Sequence, residues 1–159
     1  MTLGEFERAA EMLSRQTTVR ALLAETCREL VELLDASACA ISRVVGDLLV
    51  GLEEHARTAK RPLASGHEYL ISDYPLTREV VEDGGPQLVS LMDKAPEPNE
   101  AALLARLGFD SLLMLCLPAD GACWGLVEVY RSGDRFGEED AALAGQIAAV
   151  AGRRLEQLI

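Results

Sequence analysis

The chain has 159 residues, 49% of them hydrophobic, which suits one domain with a substantial core. With 26 acidic and 15 basic side chains its formal net charge is -11, which argues against nucleic acid or an anionic membrane as partner. The longest apolar run, residues 112–117, is too short to span a bilayer, and no secretory signal pattern opens the chain. The sequence therefore predicts a soluble cytoplasmic domain.

The four cysteines are Cys27, Cys39, Cys116 and Cys123. They show no C-x-x-C spacing and have no histidine nearby in sequence, so neither a metal site nor a cofactor is predicted. Each lies in an apolar segment, where a free cysteine behaves as a small hydrophobic residue. We therefore expect four reduced thiols in the core.

The N-terminal part of the chain combines helical and strand patterns. Apolar residues at helical spacing predict helix over residues 3–34, with Thr17 or Thr18 as a cap for its second part. Residues 38–45 and 48–56 are typical of strands, and the Gly-Asp pair between them favours a short hairpin turn.

Residues 57–98 are irregular and contain most of the prolines. An extended piece is predicted at 68–74, one or two helical turns at 76–83, and a strand at 87–92. A segment of this length in a compact domain is typical of a functional cover.

The C-terminal part returns to regular patterns. Asn99 is placed to cap a short helix that Gly108 closes. Strands follow at residues 111–117 and 122–130, and the Asp-Gly pair between them favours a hairpin. A final helix begins after Phe136 with three acidic residues, which suit the helix dipole.

This order of elements predicts an α+β fold. Two hairpins imply an antiparallel sheet of five or six strands. We expect the N- and C-terminal helices on one face and the irregular cover, with its short helix, on the other. Residues 1–16 are expected to be a helical extension of a single domain that occupies residues 17–159.

Three segments carry a resemblance to a known family: LLDASACAISRV, LGFDSLLMLCLPADGACWGLVEVYRS and RFGEEDAALAGQIAAVAGRRLE. Together with the layout, they resemble a GAF domain from about residue 17 to the end of the chain. The resemblance implies a sensory or regulatory role with a small-molecule pocket beneath the cover, residues 57–98. It also implies a signal that leaves through the terminal helices toward an effector domain or a signalling protein, as in bacterial signalling.

Features of some GAF branches are missing. Cyclic-nucleotide members carry an Asn-Lys pair where this chain has Tyr130 and Arg131. Bilin-binding members attach their chromophore to a cysteine that is typically beside a histidine, and neither His55 nor His67 adjoins one. His67 is the one candidate for an axial haem ligand, although a surface histidine is the simpler interpretation.

The sequence predicts a non-catalytic sensor, because it contains no phosphate-binding loop, no nucleophile elbow and no acid–base couple. Two alternatives stay open. One is a degenerate GAF module that serves only dimerisation or protein contact. The other is a thiol-dependent methionine sulfoxide reductase, as in one branch of the family.

The last strand sets a particular question, because the acidic Glu128 shares its face with the large residues Trp124, Leu126 and Tyr130. We expect the smaller faces of the first and last strands to pack on the helices and the larger faces to look toward the cover. Arg43 would then meet Glu128 in an ion pair on the pocket floor. The full set of predicted pocket residues is Arg43, Tyr69, Tyr74, Val81, Leu104, Met114, Cys116, Trp124, Leu126 and Glu128.

The final helix carries an apolar stripe beside a seam of small residues. We expect Gly145 to pack on the chain's own sheet and Gly152 to lie where the helix outruns the sheet. This predicts a parallel homodimer in which terminal helices of two chains form a bundle. The predicted contact residues are Leu23, Leu30, Leu34, Gly145, Ala148, Gly152 and Leu155.

Overall fold

The computed structural model describes residues 2–58 and 68–159. Its helices are α1 Leu3–Ser14, α2 Val19–Leu33, α3 Pro75–Asp83, α4 Pro98–Leu107 and α5 Glu138–Leu158. Its strands are β1 Ala38–Val45, β2 Leu48–Ala56, β3 Glu68–Leu70, β4 Gln87–Ser90, β5 Ser111–Ala119 and β6 Ala122–Arg131. None of these helices is both long enough and apolar enough to cross a membrane.

The helical region predicted for residues 3–34 consists of two helices, α1 and α2. Thr18 has extended backbone, and its hydroxyl accepts a hydrogen bond of 3.1 Å from the backbone N–H of Ala21, which caps α2. Arg8 of α1 reaches Glu29 of α2 in an ion pair of 2.9 Å, and Leu13 of α1 is fully buried. α1 is therefore packed against the rest of the fold.

The six strands form one antiparallel sheet in the order β3-β2-β1-β6-β5-β4. Asp120 and Gly121 connect β5 to β6 with φ values of 53° and 74°. A tight two-residue hairpin turn requires positive φ at both of its central positions, and Asp-Gly is a favoured pair there. The predicted α+β class and antiparallel sheet are confirmed.

The cover differs from the prediction in two details. Ile71–Asp73 form a 3-10 turn instead of extended chain. α4 is capped by Glu97, whose carboxylate accepts a hydrogen bond of 2.7 Å from the backbone N–H of Glu100. Asn99, the predicted cap, instead donates a hydrogen bond of 2.8 Å to the carbonyl of Asp73. This bond ties α4 to the 3-10 turn.

The sheet separates two apolar cores. On the helix side, Ile41 and Val127 pack with α1, α2 and α5, whereas Ala40 and Leu126 face the cover side with α3 and α4. The predicted faces are therefore right for residues 125–130 of β6 and wrong for β1. The reason is the register, because Ala40 lies directly opposite Glu128 and directly opposite residues share a face.

The two glycines of α5 have the opposite roles to those predicted. A Cβ at Gly152 would lie 2.2 Å from the carbonyl oxygen of Pro118, so this helix turn packs tightly on the chain's own hairpin. A Cβ at Gly145 would meet nothing within 4 Å. Gly152 is thus the glycine that close packing requires, and Gly145 borders open space.

The other predicted dimer residues lie inside the chain's own helix-side core. Those that are buried there are Leu23, Leu30, Leu34, Ala148, Gly152 and Leu155. A residue buried within one chain offers no surface to a second, so any helix bundle between two chains would use other faces of α1 and α5. Homodimerisation itself stays a prediction.

Candidate functional site

Glu128 lies in the middle of β6 and points to the cover side. Its cross-strand neighbours are Ala40 on β1 and Met114 on β5, and both are buried and apolar. Such opposite pairs have Cβ atoms about 4.5–5.5 Å apart. The small Ala40 therefore leaves space beside a carboxylate that rises from an apolar floor.

α3 and α4 hold the part of the cover that lies over this floor. Both helices begin with a proline, a residue suited to the first turn. The buried Glu100 of α4 accepts hydrogen bonds from the backbone N–H of Thr77 at 3.0 Å and from its hydroxyl at 2.6 Å. The same hydroxyl lies 3.3 Å from the sulfur of Met114. Thr77 thus joins α3, α4 and the sheet.

Among the described residues Glu128 has one hydrogen-bond donor, the hydroxyl of Tyr130, at 3.0 Å. None of the ion pairs in residues 2–58 and 68–159 involves Glu128. Burial raises the pKa of Glu128 to about 7, although the hydrogen bond from Tyr130 opposes the rise, and the Glu100 carboxylate adds to it. Near neutral pH the protonated and charged forms of Glu128 are therefore both populated.

The other acidic groups at this place are shifted in the same direction. Burial raises the pKa of Glu100, and the two hydrogen bonds from Thr77 partly oppose this effect. Burial and the neighbouring Glu128 also raise the pKa values of Tyr69 and Tyr130. The site thus favours neutral or positively charged groups over further negative charge.

A small, partly open cavity is lined in part by Glu128, and we call it the Glu128 cavity. Its wall consists of Leu49, Tyr69, Tyr74, Thr77, Leu103, Leu107, Glu128 and Tyr130. Its volume is about 10 Å3, room for about one water molecule. Tyr74 also lines an outer depression of about 420 Å3 that includes Asn99 and Arg106.

The predicted ion pair between Arg43 and Glu128 is wrong. The register places Arg43 opposite Gly125, three residues along the strand from the Ala40–Glu128 pair. The Arg43 guanidinium lies 4.3 Å from the ring centroid of Trp124 and donates a hydrogen bond of 3.0 Å to its carbonyl oxygen. Arg43 therefore holds Trp124 rather than the pocket carboxylate.

Trp124 is also outside the cavity, because of a β-bulge. β5 pairs Leu117 with Gly125 but Pro118 with Cys123, so Trp124 is an extra residue on β6. A bulge resets the alternation of side chains between the two faces of a strand. The indole accordingly packs against the helix-side core, not beneath the cover.

Three of the predicted pocket residues line the Glu128 cavity: Tyr69, Tyr74 and Glu128. Leu104, Met114 and Leu126 belong to the cover-side core, and Val81 and Cys116 pack at its margin. The cavity residues that the sequence analysis missed are Leu49, Thr77, Leu103, Leu107 and Tyr130. Tyr130 is two residues from Glu128 on one strand face, and that spacing alone could have identified it.

The cysteines differ from expectation in one pair. Cys116 and Cys123 form a disulfide across the β5–β6 hairpin, with Cα atoms 5.5 Å apart, and we call it the hairpin disulfide. Cys123 on β6 lies opposite Pro118 on β5. Cys116 is two residues before Pro118 on β5 and therefore shares its face of the sheet. The expectation of a reduced core is therefore wrong for this pair. Cys27 and Cys39 are free and buried, and burial raises the pKa of Cys39.

Metal and haem ligation gain no support from the described part of the chain. No group of three or more His, Cys, Asp or Glu side chains converges there in a way that could hold a metal ion. His67, the one candidate for an axial haem ligand, lies outside the described residues.

The family assignment rests on the sequence as a whole as well as on this architecture. The family model described as the GAF domain matches residues 18–155. The chain belongs to the GAF domain family. The match begins at the cap of α2 and ends within α5, so it includes the whole sheet, the cover-side core and the Glu128 cavity.

Solved structures similar to this GAF domain include domains of phytochromes. The chromophore-binding domain of Stigmatella aurantiaca bacteriophytochrome has a TM-score of 0.80 and 17% identity, with 96% of this chain and 59% of that chain covered. The corresponding domain of a bacteriophytochrome from R. palustris has a TM-score of 0.82 and 11% identity, with 98% and 61% covered. The phycoerythrobilin-bound GAF domain from a cyanobacterial phytochrome has a TM-score of 0.79 and 14% identity, with 98% and 94% covered.

At these identities the similarity shows the fold. The chain spans about three-fifths of the two chromophore-binding domains, 59% and 61%. No curated protein sequence matches the chain.

Proposed function

We propose that this GAF domain is a sensory module that binds a small organic molecule above Glu128 and performs no catalysis of its own. The observation that carries the proposal is the position of Glu128 on an apolar floor, where it has, among residues 2–58 and 68–159, one hydrogen-bond donor and no ion-pair partner. A buried carboxylate costs stability unless it is paired, and an apolar residue of similar size would avoid that cost. A bound ligand that donates hydrogen bonds would satisfy it.

Binding requires the cover to move outward. The Glu128 cavity measures about 10 Å3, whereas ligand pockets commonly measure about 300–1,000 Å3. Tyr74 lines both this cavity and the outer depression of about 420 Å3. Displacement of the Tyr74 ring would join the two spaces, so we infer that the ligand enters at Tyr74.

The small volume also favours one alternative function. A GAF module whose pocket stays closed would act only as a scaffold for dimerisation or for contact with another protein. In that case the Glu128–Tyr130 hydrogen bond serves the fold and never contacts a ligand. The third candidate, a thiol-dependent reductase, has less support, because Cys27 and Cys39 are buried.

The output of the sensor is proposed to pass through the terminal helices. α5 packs against β5, and the turn at Gly152 lies against the backbone of Pro118. A shift of the hairpin would therefore displace α5 directly. We propose that a homodimer in the cytoplasm transmits this shift to an effector domain or to another signalling protein. Sedimentation that shows a monomer at every concentration would contradict the dimer.

Native mass spectrometry of freshly purified protein tests the ligand-binding proposal. It is followed by thermal-shift screening of a small-molecule library against the wild type, Glu128→Gln and the control Glu7→Gln, a matched substitution at an exposed site on α1. We expect a bound mass, or a stabilising compound, whose affinity falls about tenfold or more in Glu128→Gln and is unchanged in Glu7→Gln. A bare polypeptide mass together with no stabilising compound would favour the scaffold.

A further inference from the structure

The hairpin disulfide lies in the wall of a concave surface that we call the hairpin groove. This groove is bounded by the C-terminal end of α3, the β5–β6 hairpin and α5, and its volume is about 590 Å3. Cys116 and Cys123 both line it and are partly exposed, whereas Cys27 and Cys39 are buried. A thiol in solution therefore has access to the hairpin disulfide through the groove, whereas the fold shields the two buried thiols.

The bulge at Trp124 is what brings the two cysteines of the hairpin together. Without the extra residue, Cys123 would pair with Ala119, whose side chain belongs to the helix-side core. With the extra residue, Cys123 pairs with Pro118 and lies on the face of the sheet that Cys116 also occupies. The disulfide can form only in this bulged register, so it holds the hairpin in that register.

The hairpin does not need the disulfide in order to close. The two cysteines are seven residues apart in sequence, and the Asp120–Gly121 turn and the pairing of β5 with β6 already hold them near each other. A disulfide stabilises a fold less when the loop that it closes is shorter. The Cys123 sulfur also lies 3.2 Å from the carbonyl oxygen of Gly125, which can accept a hydrogen bond from a reduced thiol. The disulfide and dithiol forms are thus both compatible with the fold.

The loop that the disulfide closes contacts α5 at two points. The carbonyl group of Pro118 lies against Gly152, and the backbone N–H of Asp120 donates a hydrogen bond of 2.9 Å to the carboxylate of Glu156. Both contacts come from residues between the two cysteines. A change in the register or the mobility of this loop would therefore reach the C-terminal helix directly.

We propose that the hairpin disulfide is a redox site, which a dithiol reductant opens through the hairpin groove and which a peroxide forms again. Reduction releases the bulged register and loosens the contact of the hairpin with α5. Of the proposed function, only the cytoplasmic location enters here, because disulfides are rare in that compartment and those that occur there are usually catalytic or redox-sensing. The reaction needs no ligand above Glu128, so its outcome is separate from that of the ligand screen.

The reduction takes two steps of thiol–disulfide exchange. A thiolate of the reductant bonds to one cysteine sulfur, and the S–S electron pair passes to the other cysteine, which takes up a proton. The second thiolate of the reductant then attacks the reductant sulfur of this mixed disulfide and releases the first cysteine, which also takes up a proton. The chain gains two electrons and two protons, and the reductant becomes a disulfide. In the reverse direction, two cysteine thiols and one hydrogen peroxide give the disulfide and two water molecules.

The reductant is a dithiol because the hairpin keeps the two cysteine sulfurs close together. A monothiol bound to one cysteine is displaced by the other, since the second thiol is present at a high effective concentration. A dithiol avoids this reversal, because its own second thiol completes the reduction within the mixed disulfide.

The first experiment measures the reaction in the full, air-oxidised chain. Dithiothreitol is added in native buffer or in urea, and the thiols are counted by mass after alkylation in denaturant. We expect two thiols to become four, at a rate in the folded chain within about tenfold of the rate in urea, and one equivalent of hydrogen peroxide to restore two. 2-Mercaptoethanol at the same concentration of thiol groups should leave most of the disulfide intact. A rate about a hundredfold or more slower in the folded chain, equal reduction by the monothiol, or no recovery with peroxide would overturn the proposal.

The second experiment measures the effect on α5 by hydrogen exchange in the disulfide and dithiol forms. We expect amide exchange in residues 148–156 to rise about threefold or more on reduction and exchange in residues 98–107 of α4, on the cover side, to stay unchanged. Cys116→Ala should show the rapid exchange with or without dithiothreitol. The matched control Cys27→Ala, which removes a buried thiol and keeps the disulfide, should respond like the wild type. Unchanged exchange in α5, an equal rise in α4, or a response to dithiothreitol that persists in Cys116→Ala would overturn the proposed link to α5.

Discussion

Replacement of Glu128 by glutamine should change how stability depends on pH. The pKa of Glu128 is raised from its ordinary value of 4.5 to about 7 in the folded chain, chiefly by burial. The folded state therefore binds this proton more tightly than the unfolded state does. The resulting stabilisation is fully present below pH 4.5 and is lost as the pH rises through 7.

The magnitude follows from the difference between the two pKa values. About 2.5 pKa units, from 4.5 to 7, correspond to about 3 kcal/mol at about 1.36 kcal/mol per unit. Glutamine stays neutral at every pH and keeps the shape of the side chain. The free energy of unfolding of Glu128→Gln, relative to the wild type, should therefore rise by about 3 kcal/mol between about pH 4 and about pH 8.5.

Urea melts at a series of pH values measure this difference for Glu128→Gln, with Glu7→Gln as the exposed control. Comparison with the wild type at each pH removes the contributions of groups that do not interact with Glu128, and the repulsion between Glu128 and Glu100 is part of the measured difference. A constant difference across the pH range would refute the reasoning. That result would mean that Glu128 is solvated in the folded chain and that the cover does not exclude water from it.

Three further predictions concern the packing, the charges and the cysteines. Gly152→Ala should lower the free energy of unfolding by about 1–3 kcal/mol, because its Cβ would lie 2.2 Å from the Pro118 carbonyl oxygen, whereas Gly145→Ala should raise it by up to about 1 kcal/mol. Equal changes in the free energy of unfolding for Gly152→Ala and Gly145→Ala, measured by urea melts, would contradict the packing of α5. The effects of Arg43→Met and Glu128→Gln on the free energy of unfolding should add within about 0.5 kcal/mol, since no hydrogen bond or ion pair joins the two side chains. A coupling energy well above that value in a double-mutant cycle would show that the two side chains interact. Thiol titration in denaturant should find two free thiols in air-oxidised protein, from the two buried cysteines, and four after reduction of the hairpin disulfide. Four thiols before reduction would show that the disulfide does not form.

Much of the fold is determined by local patterns in the sequence. The turn residues Asp120 and Gly121 specify the last hairpin, since few other pairs adopt positive φ at both positions without strain. Thr18 specifies the start of α2 through its own hydroxyl. The two-residue alternation of β6 was enough to place Glu128 beneath the cover. The turn, the cap and the alternation each act within a few residues of chain, so the sequence contains them.

The composition of the site was decided by strand pairing and by the bulge. Alternation along β1 could not show which face Ala40 takes, because that depends on its partner Glu128 in a strand 88 positions later. The extra residue at Trp124 reversed the face on which the indole lies. The register of β1 placed Arg43 opposite Gly125, beside that indole and away from Glu128. Register and bulges are properties of two strands together, so one strand's pattern does not contain them.

Tertiary packing also decided the roles of the two α5 glycines and of the hairpin disulfide. The sequence shows two glycines seven residues apart in one helix, and nothing local distinguishes them. Gly152 meets the backbone of Pro118 on the distant β5–β6 hairpin, whereas Gly145 meets open space. The sequence by itself therefore determined most of the elements and the cover-side position of Glu128. The tertiary structure decided which residues surround that carboxylate and which surfaces are left open, because those contacts join segments that are distant along the chain.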